Sequence, residues 1–421
     1  MEIIKDESGD LQLIDMGLLD GIEKNVLALG AVSFLTDVSS EMVFPIIPLF
    51  LNNILGVGTG IIGLIEGVAD SISSLLDIFV GYFSDIHGKR KDFVVAGYGI
   101  STVLKFFLVI ANSWQQILLI RGTERLGKSI RTSPRDAIIA ESTKEKNRGK
   151  AFGLHRAMDT IGAIAGPAIA YLILQALGQT ESAYRTVFLA ATVPALLAVI
   201  AIVIFVREPK RNDQGGNQGR NDANPSATSS PIKKANFWEA LKRLDHRYKR
   251  YLMISCVFSL AYFSFALLII RANDIGMKAE DILLVYLLYN IVYALFSIPA
   301  GMLSDRIGRR PVIAASFILY GLICIGFIFV DQPWQIAALF AVYGVFVSTD
   351  ESVNKAYISD MVEEKGRGTA LGAYNSAVGA VYLPANAIFG AIWAAAGAAM
   401  AFGAAAAVAI AAGVAMFALP E

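Results

Sequence analysis

The sequence predicts an all-α membrane protein whose twelve transmembrane helices form two pseudo-symmetric six-helix bundles. Of its 421 residues 55% are hydrophobic and only 17% charged, too apolar a balance for a soluble enzyme of this length. Apolar runs of about 20 residues, enough to cross a hydrocarbon core, recur along the whole chain between short polar breaks. A polar segment also occurs twice, as Gly81-Tyr82-Phe83-Ser84-Asp85-Ile86-His87-Gly88-Lys89-Arg90 and as Gly301-Met302-Leu303-Ser304-Asp305-Arg306-Ile307-Gly308-Arg309-Arg310. Its aspartates lie 305 − 85 = 220 positions apart, about half the chain, as expected of a doubled membrane unit.

Residues 1–24 hold Glu2, Asp6, Glu7, Asp10, Asp15 and Asp20, where a secretory signal would be basic and then apolar, so they read as a cytosolic tail. The N-terminal bundle, 25–206, contains spans at 25–55, 57–82, 92–112, 115–138, 149–175 and 184–206. Pro45 and Pro48 in the first span predict a bend near the outer mouth. Residues 207–249 form a cytosolic linker, rich in Gly, Asn and Ser between Glu208 and Asn236 and unable to bury a core. The C-terminal bundle, 250–421, has spans at 250–271, 281–303, 311–330, 333–358, 367–393 and 395–419. In its first two spans Ser255, Ser259, Tyr262 and Ser264, then Tyr286, Tyr289, Asn290 and Tyr293, suit contact with a partly apolar organic molecule, or else helix packing. The last span is mostly Ala and Gly, which permits close backbone approach. Cys256 and Cys324 lie within apolar runs and read as small buried residues.

Basic residues gather at alternate loops: Lys89, Arg90 and Lys91; Lys144, Lys146, Arg148 and Lys150; Arg306, Arg309 and Arg310; Lys365 and Arg367. The loops at 56–60, 111–115 and 331–334 have none, which predicts a plasma (inner) membrane protein with both termini cytosolic. The repeat keeps its register further on. Ala137-Ile138-Ile139-Ala140-Glu141 matches Ala356-Tyr357-Ile358-Ser359-Asp360, and Arg148, Gly149, Ala151 and Gly153 match Arg367, Gly368, Ala370 and Gly372, all at an offset of 360 − 141 = 219. Two parallel halves about an axis normal to the membrane follow.

On the doubled Gly-x-x-x-Asp-(Arg)-x-Gly-Arg/Lys-Arg loop, the chain resembles the major facilitator superfamily across all twelve spans; Ile86 stands where the family has Arg. The resemblance implies a cytosolic gate built from Gly81, Asp85, Gly88, Lys89, Arg90, Glu141 and Arg148 in one half. Its counterpart is Gly301, Asp305, Arg306, Gly308, Arg309, Arg310, Asp360 and Arg367. Helix N-termini favour such carboxylates, and Gly88 and Gly308 permit the tight turn. Arg121, Glu124 and Gly127 look like the family's span-four Arg motif, and Gly162, Gly166 and Pro167 like part of its span-five antiporter motif without the trailing Gly pair. The latter points to drug/proton antiport, although Gly-Pro in a membrane helix also serves packing or a kink. A run from Gly127 through Lys128, Arg131, Pro134, Arg135 and Asp136, then Phe152 to Asp159, resembles an uncharacterised prokaryotic subgroup.

Ionisable groups deep in a membrane are costly and mark function or pairing. At 1.5 Å per residue, Asp37, Asp70, Arg125 and Asp159 fall roughly 15–18 Å from their span ends, near the midplane. Asp37 and Glu41, Glu66 and Asp70, and Arg121 and Arg125 are four apart and share helix faces. In the resembled family the first and fourth spans line a central cavity, which places Asp37, Glu41, Arg121, Arg125 and Lys128 around the substrate path. Asp37 and Asp70 are the favoured proton carriers, because a carboxylate moving between wet and closed states changes its proton affinity. Arg125 is the competing charge, with Glu41, Glu66 and Asp159 as second choices; the alternative is a static ionic network. Arg135 reads as an interface residue, Lys128 and Arg131 as interface or headgroup ligands, and His155 and Arg156 as packing, snorkelling or transport residues.

The expected function is secondary transport of a small organic solute by alternating access, driven by a proton gradient without a cofactor. Proton-coupled export is the preferred form, with uptake by symport or uniport as the rival. A receptor or sensor that lost transport is the alternative of another class. Lipid, an organic substrate and protons are the expected partners of a monomer; no basic stripe stands apart from the loops to suggest nucleic acid. Three histidines without further ligand spacing give no metal site, and no nucleophile–base pair or phosphate-cradling loop suggests an enzyme.

Overall fold

The structure, a computed structural model, describes residues 2–5, 11–14, 22–87, 90–144, 147–208, 245–362 and 367–419, with side chains for all of these except 2–5, 11–14, 75–87 and 367–369. A short antiparallel hairpin, β1 (Glu2–Lys5) with β2 (Leu11–Ile14), lies within the segment expected to be a tail. Six helices follow: α1 (Lys24–Ile54), α2 (Thr59–His87), α3 (Arg90–Ile110), α4 (Trp114–Glu141), α5 (Arg148–Leu177) and α6 (Glu181–Phe205). The second six are α7 (His246–Asp274), α8 (Ala279–Ile307), α9 (Arg309–Phe329), α10 (Pro333–Met361), α11 (Arg367–Ala396) and α12 (Ala398–Phe417). Among the described residues ten helices are long and apolar enough to cross a membrane; the other two, α2 and α4, carry Glu66, Asp70 and a row of Arg and Lys. α7 begins at His246, inside the expected linker 207–249, so the bundle boundary moves back.

Helix boundaries keep the sequence repeat. α2, α3, α4 and α5 start at 59, 90, 114 and 148, and α8, α9, α10 and α11 at 279, 309, 333 and 367, offsets of 220 and then 219. Packing repeats with them. α1 lies on α5 and α6, and α4 on α2 and α3; correspondingly α7 lies on α11 and α12, and α10 on α8 and α9. The bundles meet along α2 with α11 and α5 with α8, two contacts that exchange under the repeat. Small residues permit this approach: a Cβ on Gly63 would sit 2.5 Å from the Asn386 carbonyl oxygen, and one on Gly390 2.7 Å from that of Thr59. Leu189, Val193, Leu197, Ile200 and Ile204 of α6 stay exposed, an apolar face suited to lipid.

Two helices break at equivalent positions. α1 is interrupted at Phe44–Pro45, at the first of the two prolines, and ends in a π turn, Phe50–Ile54. α7 breaks at 262–264 without a proline. There the Tyr320 hydroxyl accepts from the Phe263 amide at 3.4 Å, and Asn386 Oδ1 from the Ser264 amide at 2.6 Å, which satisfies donors a helix would have used.

Candidate functional site

One face of α4 carries Arg121, Glu124, Arg125, Lys128, Arg131, Thr132 and Arg135, spaced by three or four residues, and this face lines a cavity of about 410 Å³. Asp37 and Glu41 of α1, Arg156 and Asp159 of α5, and Tyr286, Tyr289, Asn290 and Tyr293 of α8 complete its wall. Seven expected residues, Asp37, Glu41, Arg121, Glu124, Arg125, Lys128 and Asp159, therefore share one chamber. Glu66 and Asp70 stand behind it on α2.

Two parallel ion pairs fasten α2 to α4. Arg121 donates to Glu66 Oε2 at 2.8 Å and to Glu124 Oε2 at 3.2 Å, and Arg125 donates to Asp70 Oδ1 at 3.3 Å. Asp70 lines a smaller adjoining cavity of about 250 Å³ with Tyr262, Tyr343 and Tyr382; Phe44, Tyr286, Tyr289 and Glu351 border both spaces.

The acids on the opposite wall have different partners. Asp37 and Asp159 are in side-chain hydrogen-bond contact with each other, and Ser33 Oγ donates to Asp159 Oδ1 at 2.5 Å. The Tyr286 hydroxyl donates to Glu41 Oε2 at 2.5 Å, joining α8 to α1 across the bundles. Lower in the wall, Arg156 donates to the Tyr293 hydroxyl at 2.5 Å, and that hydroxyl donates to Glu351 Oε2 at 2.7 Å.

Gly162 and Gly166 explain how the acids are placed. A Cβ at Gly162 would lie 2.6 Å from the Phe34 carbonyl oxygen and 3.0 Å from Asp37 Cβ. At Gly166 it would lie 2.6 Å from the Val38 carbonyl oxygen and 2.9 Å from Glu41 Cβ. α5, with Pro167 inside it, thus rests directly on the turns of α1 that carry both carboxylates.

Several placements differ from expectation or were missed. Arg135, expected at an interface, faces the chamber because it continues the α4 stripe, with its guanidinium 2.8 Å from Asp136. Arg131 lines the chamber, donates to Ser101 Oγ at 2.7 Å and lies 4.4 Å from the Tyr98 ring centroid. His155 is buried outside the chamber wall. Lys105 of α3 escaped notice; its buried ammonium donates to Ser39 Oγ at 2.6 Å and Ser40 Oγ at 3.1 Å. Its signal was present, a lone cation deep in the apolar run Ile100–Ile110.

Several of the described residues expected to gate the chamber pair within their own half. Arg90 pairs with Glu141, and its repeat partner Arg309 pairs with Asp360 at 3.2 Å and with Asp305 at 2.6 Å. These equivalent pairs brace α3 against α4 and α9 against α10. Arg310 donates to the Leu419 carbonyl at the end of α12, Arg148 to the Ala140 carbonyl at 3.4 Å, and Arg306 is exposed. Gly308 takes φ +95 in the turn between α8 and α9, while Gly301 meets open space. Gly81 and Asp85 are helical, but the side chain of Asp85, all of Gly88 and Lys89, and the side chain of Arg367 lie outside the described residues.

The chain is 38% identical over 378 residues to an uncharacterised MFS-type transporter of Methanocaldococcus jannaschii, covering 88% of this chain and 89% of that one. It is 24% identical to a probable 4-methylmuconolactone transporter of Cupriavidus pinatubonensis over 75% of this chain and 71% of that one. The crystal structure of the nucleoside transporter NupG superposes with a TM-score of 0.75 at 14% identity, covering 93% and 98% of the two chains, which shows the shared fold. The model of the Major Facilitator Superfamily matches residues 29–270 and 251–421, and the chain belongs to that transporter family as a multi-pass membrane protein.

Proposed function

We propose that the protein is a proton-coupled secondary transporter of a small organic solute, moving it by alternating access through the chamber. Its setting in this reading is the plasma membrane, with both termini cytosolic. The contact between Asp37 and Asp159 carries the proposal. A hydrogen bond between two carboxyl groups needs a proton, since an ionised carboxylate only accepts. The pair joins α1 to α5 on the chamber wall, where a change of access would expose or hide that proton. The relative named for 4-methylmuconolactone supports a small organic solute as cargo.

Export is the direction suggested by the helix-five glycine motif. Gly162 and Gly166 are also accounted for by their packing on α1, so that motif needs no antiport to explain it and proton-coupled uptake stands as the second reading.

The test uses the purified protein in proteoliposomes with an imposed pH gradient and a solute found by thermal stabilisation. Asp37→Asn and Asp159→Asn are expected to abolish gradient-driven accumulation while leaving solute exchange down its own gradient. Undiminished accumulation in both variants would overturn proton coupling through this pair. The orientation of the gradient that drives accumulation distinguishes uptake from export.

A further inference from the structure

We infer that the chamber takes an organic anion, a carboxylate joined to an unsaturated or aromatic body, and that Lys128 with Arg131 is its charge anchor. The inference rests on the transport reading above and adds the substrate's charge and shape.

Most basic groups on the wall are already engaged. Arg121, Arg125, Arg135 and Arg156 each have a carboxylate partner. Among the described residues Lys128 makes no ion pair or side-chain hydrogen bond, and Arg131 has a serine and a tyrosine ring but no ion pair. They stand one turn apart on the chamber face of α4, and the buried Lys105 donates to Ser39 and Ser40. The acids differ in kind. Asp37 and Asp159 are within side-chain hydrogen-bond reach of each other, and Glu41 accepts from Tyr286. A carboxylate that takes up a proton becomes neutral, whereas arginine stays charged throughout. Among the described residues, Lys128 and Arg131 therefore face the chamber without an ion pair in contact, with Asp37, Glu41 and Glu124 as more distant counter-charges. A buried or enclosed cation without a partner is costly, and an anionic ligand removes that cost.

Shape comes from the facing bundle. Tyr286 and Tyr289 of α8 line the wall opposite α4, and Tyr289 belongs to an aromatic lattice with Phe265 at 4.8 Å and Tyr343 at 5.7 Å between ring centroids. Flat aromatic surfaces of this sort receive an unsaturated body edge-on or offset. A cavity of about 410 Å³ fits a small solute.

Binding should also respond to pH through the charges around Lys128: Asp37 and Glu41 on α1, Asp70 on α2, Asp159 and Arg156 on α5, Glu351 on α10, and Arg121, Glu124, Arg125, Arg131 and Arg135 on α4 itself, with Tyr98 of α3 and Tyr286, Tyr289 and Tyr293 of α8 as further titratable groups. Protonating the acids removes repulsion from the anion, so proton and anion bind together. That sign matches symport.

The test measures thermal stabilisation and affinity of the full-length protein in detergent with benzoate, cinnamate and cis,cis-muconate, against benzamide and benzylammonium as neutral and cationic counterparts. At least one carboxylate is expected to stabilise the protein where benzamide and benzylammonium do not, and to bind more tightly at about pH 6 than at about pH 8. Lys128→Gln should weaken it by about tenfold or more, and Lys128→Arg should recover most of the loss, which also controls for folding. Equal or better stabilisation by benzylammonium or benzamide, no stabilisation by any of the three carboxylates, or undiminished binding in Lys128→Gln would overturn the inference. Gradient-driven transport of a cationic or neutral solute would sink the inference and leave the transport reading standing. Carboxylate binding without any flux in proteoliposomes would do the reverse.

Discussion

The Arg121 side chain is 5% exposed and that of Glu66 1%, so this pair sits where an ionic bond is most dependent on its partner. Arg121→Met leaves the Glu66 carboxylate in an apolar setting with its counter-charge gone. The expected loss is about 3–5 kcal/mol, read by reversible unfolding of the purified protein in mixed micelles. Combining it with Glu66→Leu should recover most of that loss, because the uncompensated charge is then absent as well; a double variant no better than the single would refute this account. Much at this scale was legible. A carboxylate or guanidinium inside an apolar run stands out, and spacing by four put Asp37 with Glu41 and Arg121 with Arg125 on their correct faces. Partners across helices were not legible. Nothing in the local sequence of Tyr286 says that its hydroxyl meets Glu41, 245 positions away. Depth alone likewise did not separate Asp70, which faces the adjoining cavity, from Asp37.

At the scale of helices, α5 acts as the template for α1. Overpacking at such a contact costs about 1–3 kcal/mol, and here the strain falls on the two turns that bear Asp37 and Glu41. Gly162→Val is therefore expected to cut solute affinity roughly ten- to a hundredfold, the same free energy expressed as binding, in protein that still inserts and purifies. Gly153→Ala, where a Cβ meets nothing within 4 Å, should bind as the parent does. Equal affinity in both would show that the α1–α5 contact does not position the acids. The interruption of α1 could be read from Pro45, whose ring and missing N–H disfavour a continued helix. The break in α7 could not, since its acceptors arrive from Tyr320 and Asn386 on α9 and α11. The doubled loop motif was visible in the sequence because its spacing repeats, whereas the pairing of Arg90 with Glu141 and of Arg309 with Asp360 emerges only from packing.

Across the whole molecule, one backbone plan carries two chemistries. At the repeat offset Glu66 and Asp70 become Tyr286 and Asn290, Arg121 and Arg125 become Phe340 and Gly344, Lys105 becomes Cys324, and Asp159 becomes Val378. The first bundle supplies charge and the second an aromatic wall, so relative movement of the two changes what the charges face. The repeat also places Asn53 opposite its own equivalent, Asn273, 220 positions on. Asn53 Nδ2 donates to Asn273 Oδ1 at 3.1 Å, and Asn273 Nδ2 donates to Asn53 Oδ1 at 2.9 Å and Asn52 Oδ1 at 3.1 Å. Below this clasp Ile46, Ile47, Leu49 and Phe50 are fully buried, while Arg156 and Glu351 of the chamber wall have side chains 60% and 50% exposed. The chamber is thus sealed at the asparagine end and wet at the other. Alternating access requires the clasp to part once per cycle. With Cys256 and Cys324 replaced, Asn53→Cys and Asn273→Cys joined by a short methanethiosulfonate linker should stop solute exchange in proteoliposomes by tenfold or more, roughly the resolution of such an assay against a free-energy difference of 1.4 kcal/mol. Reductant should restore it. Exchange at the unlinked rate in fully linked protein would mean that solute crosses without the bundles separating at that end, and rocking about the repeat axis would have to be abandoned.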